Sequence, residues 1–255
     1  MIFVALPAYN EEDGIVLLLE EIHNTAEDFL PGLNFCIVVV DDGSTDATAD
    51  RAKECFERLG TRDGKIEYQV VTHPENRGLA EALKTGLIYC VDKSSPKDVI
   101  LTMDSDNSHT PGLIPTMTRK IYEGHDVVIA SRFRSGARVL GLSSFRIFLS
   151  FAASWIFRTL FPIPGVRDYT CGYRAYRAEL LKEVLRDDSD FISESGFSAM
   201  VDVLLKLRKK RDNLLMTEVP LLLRYDKKLS ASKMNVQRTT LQTLSLIWRR
   251  LRNQK

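Results

Sequence analysis

Short runs of Val, Ile and Leu alternate along the first half of the chain with stretches whose apolar residues recur three and four positions apart. Ile2–Leu6, Phe35–Val40, Ile66–Val71, Val99–Met103 and Asp126–Ala130 read as strands. Continuous apolar runs of this length suit strands covered on both faces. Between them, Ile15, Leu18, Leu19 and Ile22 form a helical stripe, with Asn10 placed to cap it and Glu11, Glu12 and Asp13 at its positive end. Ala49, Ala52, Phe56 and Leu59 mark a second helix, and Leu79, Ala82, Leu83, Leu87 and Cys90 a third, running from about Gly78 to Val91. Pro111 is suited to open another. Strand and helix in strict alternation predict βαβ units and an α/β fold built on a mostly parallel sheet.

After residue 131 the alternation fails. A loop from Ser131 to Ala137 brings Arg132 and Arg134 close together, with Arg138 just beyond. Leu140 to Phe161 then reads as one very apolar helical stretch. Arg146, Ser150, Ser154 and Arg158 recur every four residues as a narrow polar ridge, and Phe145, Phe148, Phe151, Trp155 and Phe157 cover much of the rest. So wide an apolar surface belongs in a membrane interface, in a core or against another subunit. A Pro162-Ile163-Pro164-Gly165 break, a polar loop, two helices and a last strand, Thr217–Leu223, follow. The pattern closes with a helix carrying Leu241, Leu244, Trp248 and Leu251 on one side and Arg249, Arg250 and Arg252 nearby.

Charge sharpens this picture. The 255 residues carry a formal net charge of only +1, yet residues 206–255 hold 14 Lys and Arg against 3 Asp and Glu. A basic tail behind an acidic body suggests an anionic partner: phospholipid, lipid phosphate or nucleic acid. At 44% hydrophobic the chain can bury one sizeable core. Its four cysteines, Cys36, Cys55, Cys90 and Cys171, show no paired spacing, so reduced thiols are expected and zinc is not. Met1 to Leu6 enters a strand with no basic stretch before it, which argues against a signal peptide. Arg146 and Arg158 interrupt the longest apolar candidate below the ~18–20 residues that span a bilayer.

Candidate chemistry sits where strands end. Asp41-Asp42 closes the second strand and Asp104-Ser105-Asp106 the fourth. Parallel strands release both clusters on one rim, where open α/β sheets bind ligands. Neighbouring carboxylates repel, and a divalent cation bridging nucleotide phosphates would relieve that repulsion. The same aspartates could instead line a turn or cap a helix, and His109 could be a further ligand or only a hydrogen-bonding neighbour. Asp42 could accept hydrogen bonds from a base or ribose edge, or cap the next helix. Leu6-Pro7-Ala8-Tyr9-Asn10-Glu11 has no glycine, which excludes the dinucleotide fingerprint and the Walker A loop. Pro7 and Tyr9 could form a wall for a stacked base, or an ordinary turn.

These segments, together with Asn76-Arg77-Gly78-Leu79, resemble the family 2 glycosyltransferases of the GT-A fold. Ala130-Ser131-Arg132-Phe133, Asp168-Tyr169-Thr170-Cys171-Gly172-Tyr173-Arg174 and Arg224-Tyr225-Asp226 leading to Ser232-Lys233-Met234 narrow the likeness to the dolichyl- and polyprenyl-phosphate sugar synthases. The resemblance covers residues 1–235 as a GT-A domain, with 139–163 as an apolar interface region inside it and 236–255 as a basic amphipathic C-terminal helix. It implies amphipathic helices at a membrane interface and a peripheral enzyme on the cytosolic face. That enzyme would move a hexose with inversion onto a polyprenyl or dolichyl phosphate.

The implied donor is GDP-mannose, with UDP-glucose as the alternative; no nucleic acid is involved, and a membrane-spanning partner chain is left open. Pro7, Tyr9, Glu11 and Asp42 would hold the nucleoside. Asp104, Ser105 and Asp106 would hold Mg²⁺ or Mn²⁺ and the diphosphate. Arg132, Arg174, Arg224 and Lys233 would meet phosphates, and Asp168 would lie beside the acceptor. Ser108 stands where the mannose synthases carry a glutamine metal ligand. A phosphate monoester is already mostly dianionic at neutral pH, its second pKa being ~6, so it needs no strong base. Asp168 then reads as an orienting group or the ion-pair partner of Arg174. No QxxRW sequence supports a processive synthase. A non-catalytic lipid-docking module is the competitor from another class, and it would have no need of Asp104 and Asp106.

Overall fold

The computed structural model describes residues 1–60, 64–187, 191–192, 194, 196, 198–228, 245–250 and 252. Four apolar runs become β1 (Ile2–Ala8), β2 (Phe35–Asp41), β3 (Ile66–Thr72) and β4 (Val99–Thr102), linked by α1 (Ile15–Phe29), α2 (Thr48–Leu59) and α3 (Leu79–Lys93). All seven residues of β2 are buried, as a strand with helices on both faces requires. On α3 the inner face comes so close that a Cβ on Gly86 would lie 3.2 Å from Ala5 and Val40 side chains. A 3₁₀ turn at Pro111–Leu113, opened by Pro111, leads into α4 (Ile114–Tyr122) and then β5 (Val127–Ser131).

The remaining elements are β6 (Arg138–Leu140), α5 (Ser144–Leu160), β7 (Arg174–Arg177), α6 (Ala178–Asp187), α7 (Ser198–Lys210), β8 (Met216–Pro220) and β9 (Leu222–Arg224). The main sheet runs β3-β2-β1-β4-β7-β5-β8, and β6 pairs with β9 in a separate ribbon. Every pairing in the main sheet is parallel except those of β7, which is antiparallel to both β4 and β5.

Four expectations are corrected. Arg174-Ala175-Tyr176-Arg177, read as loop, is a central strand; its two arginines hide its strand character, yet Arg174 is fully buried. Leu140 belongs to β6, and the apolar helix begins only at Ser144. The last strand breaks at Leu221 into β8 and β9 in different sheets, because Pro220 lacks the N–H a ladder needs. Asn10 does not cap α1, which starts after Gly14. Instead Asn10 adopts φ +50°, donates its N–H to Ser44 Oγ (2.9 Å) and accepts from Thr45 N (2.8 Å), fastening the turn after β1 to the turn after β2.

All four cysteines are free and buried, in keeping with reduced thiols. Among the described residues no helix is long and apolar enough to cross a membrane. The expected C-terminal helix lies only partly within them. Leu246 and Ile247 are buried there, Trp248 is exposed, and Arg249 and Arg250 pair with Glu194 and Asp202 of the body. Leu241, Leu244 and Leu251 lie outside the described residues, as do Ser232, Lys233 and Met234.

Candidate functional site

Strand order reverses at β1: the chain winds outward through β2 and β3, then returns to lay β4 on the other side of β1. The crevice beyond the carboxyl ends of β1 and β4 is therefore the switch point where such sheets bind ligands. Ser105 closes this junction by donating its hydroxyl to Pro7 O (2.8 Å), so the turns after β1 and β4 are held together. Asn107, at φ +61°, adds a bond to Gly14 O (2.9 Å).

Asp104 and Asp106 project from this rim into different surroundings. Asp104 keeps a third of its side chain exposed, and its backbone N–H donates to His109 Nδ1 (3.2 Å). Burial raises its pKa, His109 opposes that, and Asp106 adds to it. Asp106 accepts from Ser108 N (3.0 Å) and Ser108 Oγ (2.5 Å) at one oxygen and from Lys228 Nζ (2.5 Å) at the other. Burial pushes the Asp106 carboxyl up, but Lys228 and Ser108 outweigh it and leave the pKa below the ordinary value. Lys228 responds in kind: burial works against its charge, but Asp106 keeps its pKa raised, with smaller help from Tyr225 and Glu11.

The carboxylates of Asp104 and Asp106 are hard oxygen donors that suit a divalent cation, with the Lys228 ammonium on one Asp106 oxygen in this structure. Among the described residues no three His, Cys, Asp or Glu side chains converge as a self-sufficient metal cage, so ligand oxygens would have to complete the shell. Ser108, at the position of the possible third ligand, donates its buried hydroxyl to Asp106 Oδ1. His109, with Nδ1 on the Asp104 N–H and its ring against Tyr173, braces the loop.

The second acidic cluster closes β2 on the same rim. Asp42 is 2% exposed and accepts from Arg77 N (3.0 Å) and Gly78 N (2.7 Å), with His73 Nδ1 2.7 Å from Oδ1. Gly43 (φ +66°) lets the backbone pass where any Cβ would strike Glu75. Through these bonds Asp42 organises loop 73–78. Pro7 and Tyr9 are half-buried at the end of β1, and Glu11 is buried with its N–H on Thr48 Oγ1 (2.8 Å).

Loop 168–172 crosses the far side of Asp104. Thr102 Oγ1 donates to Gly172 O (2.7 Å), and a Cβ on Gly172 would sit 3.3 Å from Asp104 Oδ1. Asp168 is fully buried and pairs with Arg132 through Nε (2.8 Å) and Nη2 (2.6 Å), and it also accepts the N–H groups of Arg132 (3.0 Å) and Cys171 (3.1 Å). Burial alone would raise its pKa; Arg132 reverses this and holds it below the ordinary carboxylate range. Arg132 also reaches Ser150 Oγ (3.3 Å) on α5 and lies close enough to Asp104 for their charges to act on each other.

Arg174 is corrected twice. Its guanidinium is fully buried and donates to Met200 O (2.6 Å) and Tyr169 O (2.8 Å), so it neither faces the crevice nor pairs with Asp168. Arg224 stays nearer. Its backbone N–H reaches Ser108 O (2.8 Å), while its guanidinium lies on Asp226 (2.8 Å). Lys228, His73 and Glu218, which accepts the N–H groups of Arg167 and Asp168, went unmarked in the sequence. A signal existed for Lys228 alone, two places beyond Arg224-Tyr225-Asp226 in a basic run.

Comparison with known proteins extends this geometry. The sequence model described as glycosyl transferase family 2 matches residues 3–185. A dolichol-phosphate mannosyltransferase of Pyrococcus furiosus is 31% identical over 204 residues, covering 80% of this chain and 52% of the relative, so this chain spans about half that protein's length. A polyprenol monophosphomannose synthase of Mycolicibacterium smegmatis is 30% identical over 232 residues, covering 91% of this chain and 80% of the other. Among solved structures, glucosyl-3-phosphoglycerate synthase from Mycobacterium tuberculosis, in complex with Mn²⁺, UDP and phosphoglyceric acid, superposes with a TM-score of 0.64. It is 21% identical and covers 97% of this chain and 76% of that one, a likeness of GT-A-like fold.

Proposed function

Because the chain belongs to glycosyl transferase family 2, we propose that it transfers mannose from GDP-mannose to the phosphate of a polyprenyl or dolichyl lipid, with inversion. The carrying observation is the switch-point crevice, where Asp104 and Asp106 stand on one side and the Arg132–Asp168 pair on the other. The names of the mannosyltransferase relatives favour this acceptor and this sugar.

The main physical obstacle is bringing an anionic acceptor to an anionic diphosphate. Arg132 and Lys228 supply positive charge on this chain, and Arg224 stands near the same loop. Asp104 and Asp106 would hold Mg²⁺ or Mn²⁺ together with the diphosphate; when bound, that ion offsets charge developing on the leaving group. The acceptor phosphate is the nucleophile and is dianionic near neutral pH. Asp168 needs to take no proton: its depressed pKa makes it a poor base, and its oxygens are occupied by Arg132 and loop amides. Its work is to fix the Arg132 guanidinium. Pro7, Tyr9 and Glu11, at the end of β1, are placed for the nucleoside.

Lipid access fits α5. Three members of its polar ridge face the body, while Arg158 is exposed: Ser154 is buried, Ser150 accepts from Arg132, and Arg146 donates to Tyr225 Oη (3.2 Å). Phe145, Phe148, Phe151 and Trp155 are each more than half exposed, forming an apolar strip beside the site. We assign this strip to a membrane interface on the cytosolic face. Phe148→Glu with Trp155→Glu should abolish co-flotation with anionic phospholipid vesicles while leaving the thermal unfolding midpoint unchanged. Undiminished flotation would remove α5 from the membrane contact.

The activity is tested with the chain, Mn²⁺ or Mg²⁺, labelled GDP-mannose or UDP-glucose, and a short polyprenyl phosphate. Label should enter the organic phase from GDP-mannose and stay aqueous with EDTA. Transfer from UDP-glucose alone would reassign the donor, and no transfer from either would overturn the reading.

A further inference from the structure

The Lys228 ammonium lies 2.5 Å from Asp106 Oδ2, and both side chains are nearly buried, at 11% and 13% exposed. Ser108 gives two hydrogen bonds to the other oxygen of Asp106, so the lysine holds the one oxygen of that carboxylate that Ser108 leaves open. The turn that carries Lys228 is itself braced. Gly141, at φ +77°, packs directly on the backbone of Asp226, and Tyr225 Oη accepts from Arg146 of α5. A lysine, however, has a flexible four-carbon stem that lets its charge relocate while the backbone stays in place. The ammonium also lies 5.4 Å from the centre of the Tyr225 ring, a second cation-binding surface along its path.

We propose that Lys228 is a built-in competitor of the divalent cation for Asp106, and that donor binding moves its ammonium from that carboxylate onto diphosphate oxygens. The lysine then has two tasks. Before the donor arrives it neutralises an acidic rim that would otherwise be self-repelling. Afterwards it becomes a positive contact for the diphosphate. Cation alone must displace it without compensation, whereas cation with nucleotide diphosphate offers the lysine a new anionic partner. Loading of the two is therefore coupled. The proposal rests on the functional reading above in taking Asp106 as a cation ligand.

The test measures Mn²⁺ binding directly, by the loss of the free-ion electron paramagnetic resonance signal, with and without GDP. Lys228→Met should bind Mn²⁺ alone about tenfold more tightly than the unaltered chain, a change of ~1.4 kcal/mol. In the presence of Mn²⁺ it should bind GDP about tenfold more weakly. Lys228→Arg keeps the charge and should retain weak Mn²⁺ binding in the absence of GDP, which also controls for folding. Equal or weaker Mn²⁺ binding by Lys228→Met would overturn the competition. Asp106→Asn separates this from failure of the site itself: if that variant binds Mn²⁺ with GDP as well as the unaltered chain does, the cation assignment falls and the competition with it.

Discussion

Asp104→Asn and Asp106→Asn should each lower kcat/KM for sugar transfer by a factor on the order of 10³, equivalent to ~4 kcal/mol of transition-state stabilisation. The replacements are isosteric; Asp104 is partly exposed at the rim, so its unfolding midpoint should shift little, whereas Asp106→Asn also removes the partner of the nearly buried Lys228 ammonium and should lower the midpoint. What is lost is charge at the point where the leaving diphosphate must be held. A drop in kcat with the fold intact is the outcome expected of an enzyme. Unimpaired turnover in either variant would remove that carboxylate from the chemistry. A chain that bound lipid equally well in all forms and never turned over would be the docking module instead.

The second large effect concerns stability. Arg132→Met leaves the Asp168 carboxylate, which has no exposed surface, without its ion-pair partner. Breaking a buried pair from one side costs about 3–5 kcal/mol, because the surviving charge stays desolvated. Urea unfolding at neutral pH should show that loss as a lower midpoint. A change under about 1 kcal/mol would mean that the loop amides around Asp168 suffice alone.

The pH dependence has a definite sign. The folded pKa of Asp168 is depressed, so its contribution is present above the unfolded carboxylate value of ~3.9 and disappears as pH falls through the folded value. In Arg132→Met burial leaves the Asp168 pKa raised, so the stability difference from the unaltered chain should be largest near neutral pH, begin to shrink as pH falls through that raised value, and go on shrinking through the depressed value of the unaltered chain.

Much of this architecture could be read from residue pattern. β1 to β5 are legible because a strand covered on both faces must be apolar at nearly every position, and few other structures ask for that. The acidic turns were legible for a related reason: once the strands are parallel, their carboxyl ends share one rim. β7 was opaque because its four residues include two arginines. The burial of Arg174 is tolerated because Met200 and Tyr169, residues distant in sequence or in a loop, offer it carbonyl oxygens. Ion-pair identities were opaque too. The buried Asp168 needs a cation, but in the sequence Arg132, 36 positions away, and Arg174, six away, are equal candidates until the path of the loop is known. Lys228 and Lys233 are equivalent in the sequence, since nothing in a basic run says which member folds back onto an acid.

The antiparallel placement of β7 has a consequence for how the chain is assembled. β3, β2, β1 and β4 form one block from residues 2–102, and β5 with β8 forms another, and only β7 joins them. During synthesis the first block can mature while β5, made at residues 127–131, waits more than forty residues for the strand that ties it in. The crevice therefore acquires its Arg132–Asp168 wall after the Asp104 wall already exists. A ribosome-bound chain halted before residue 174 would carry half a crevice, its acidic half.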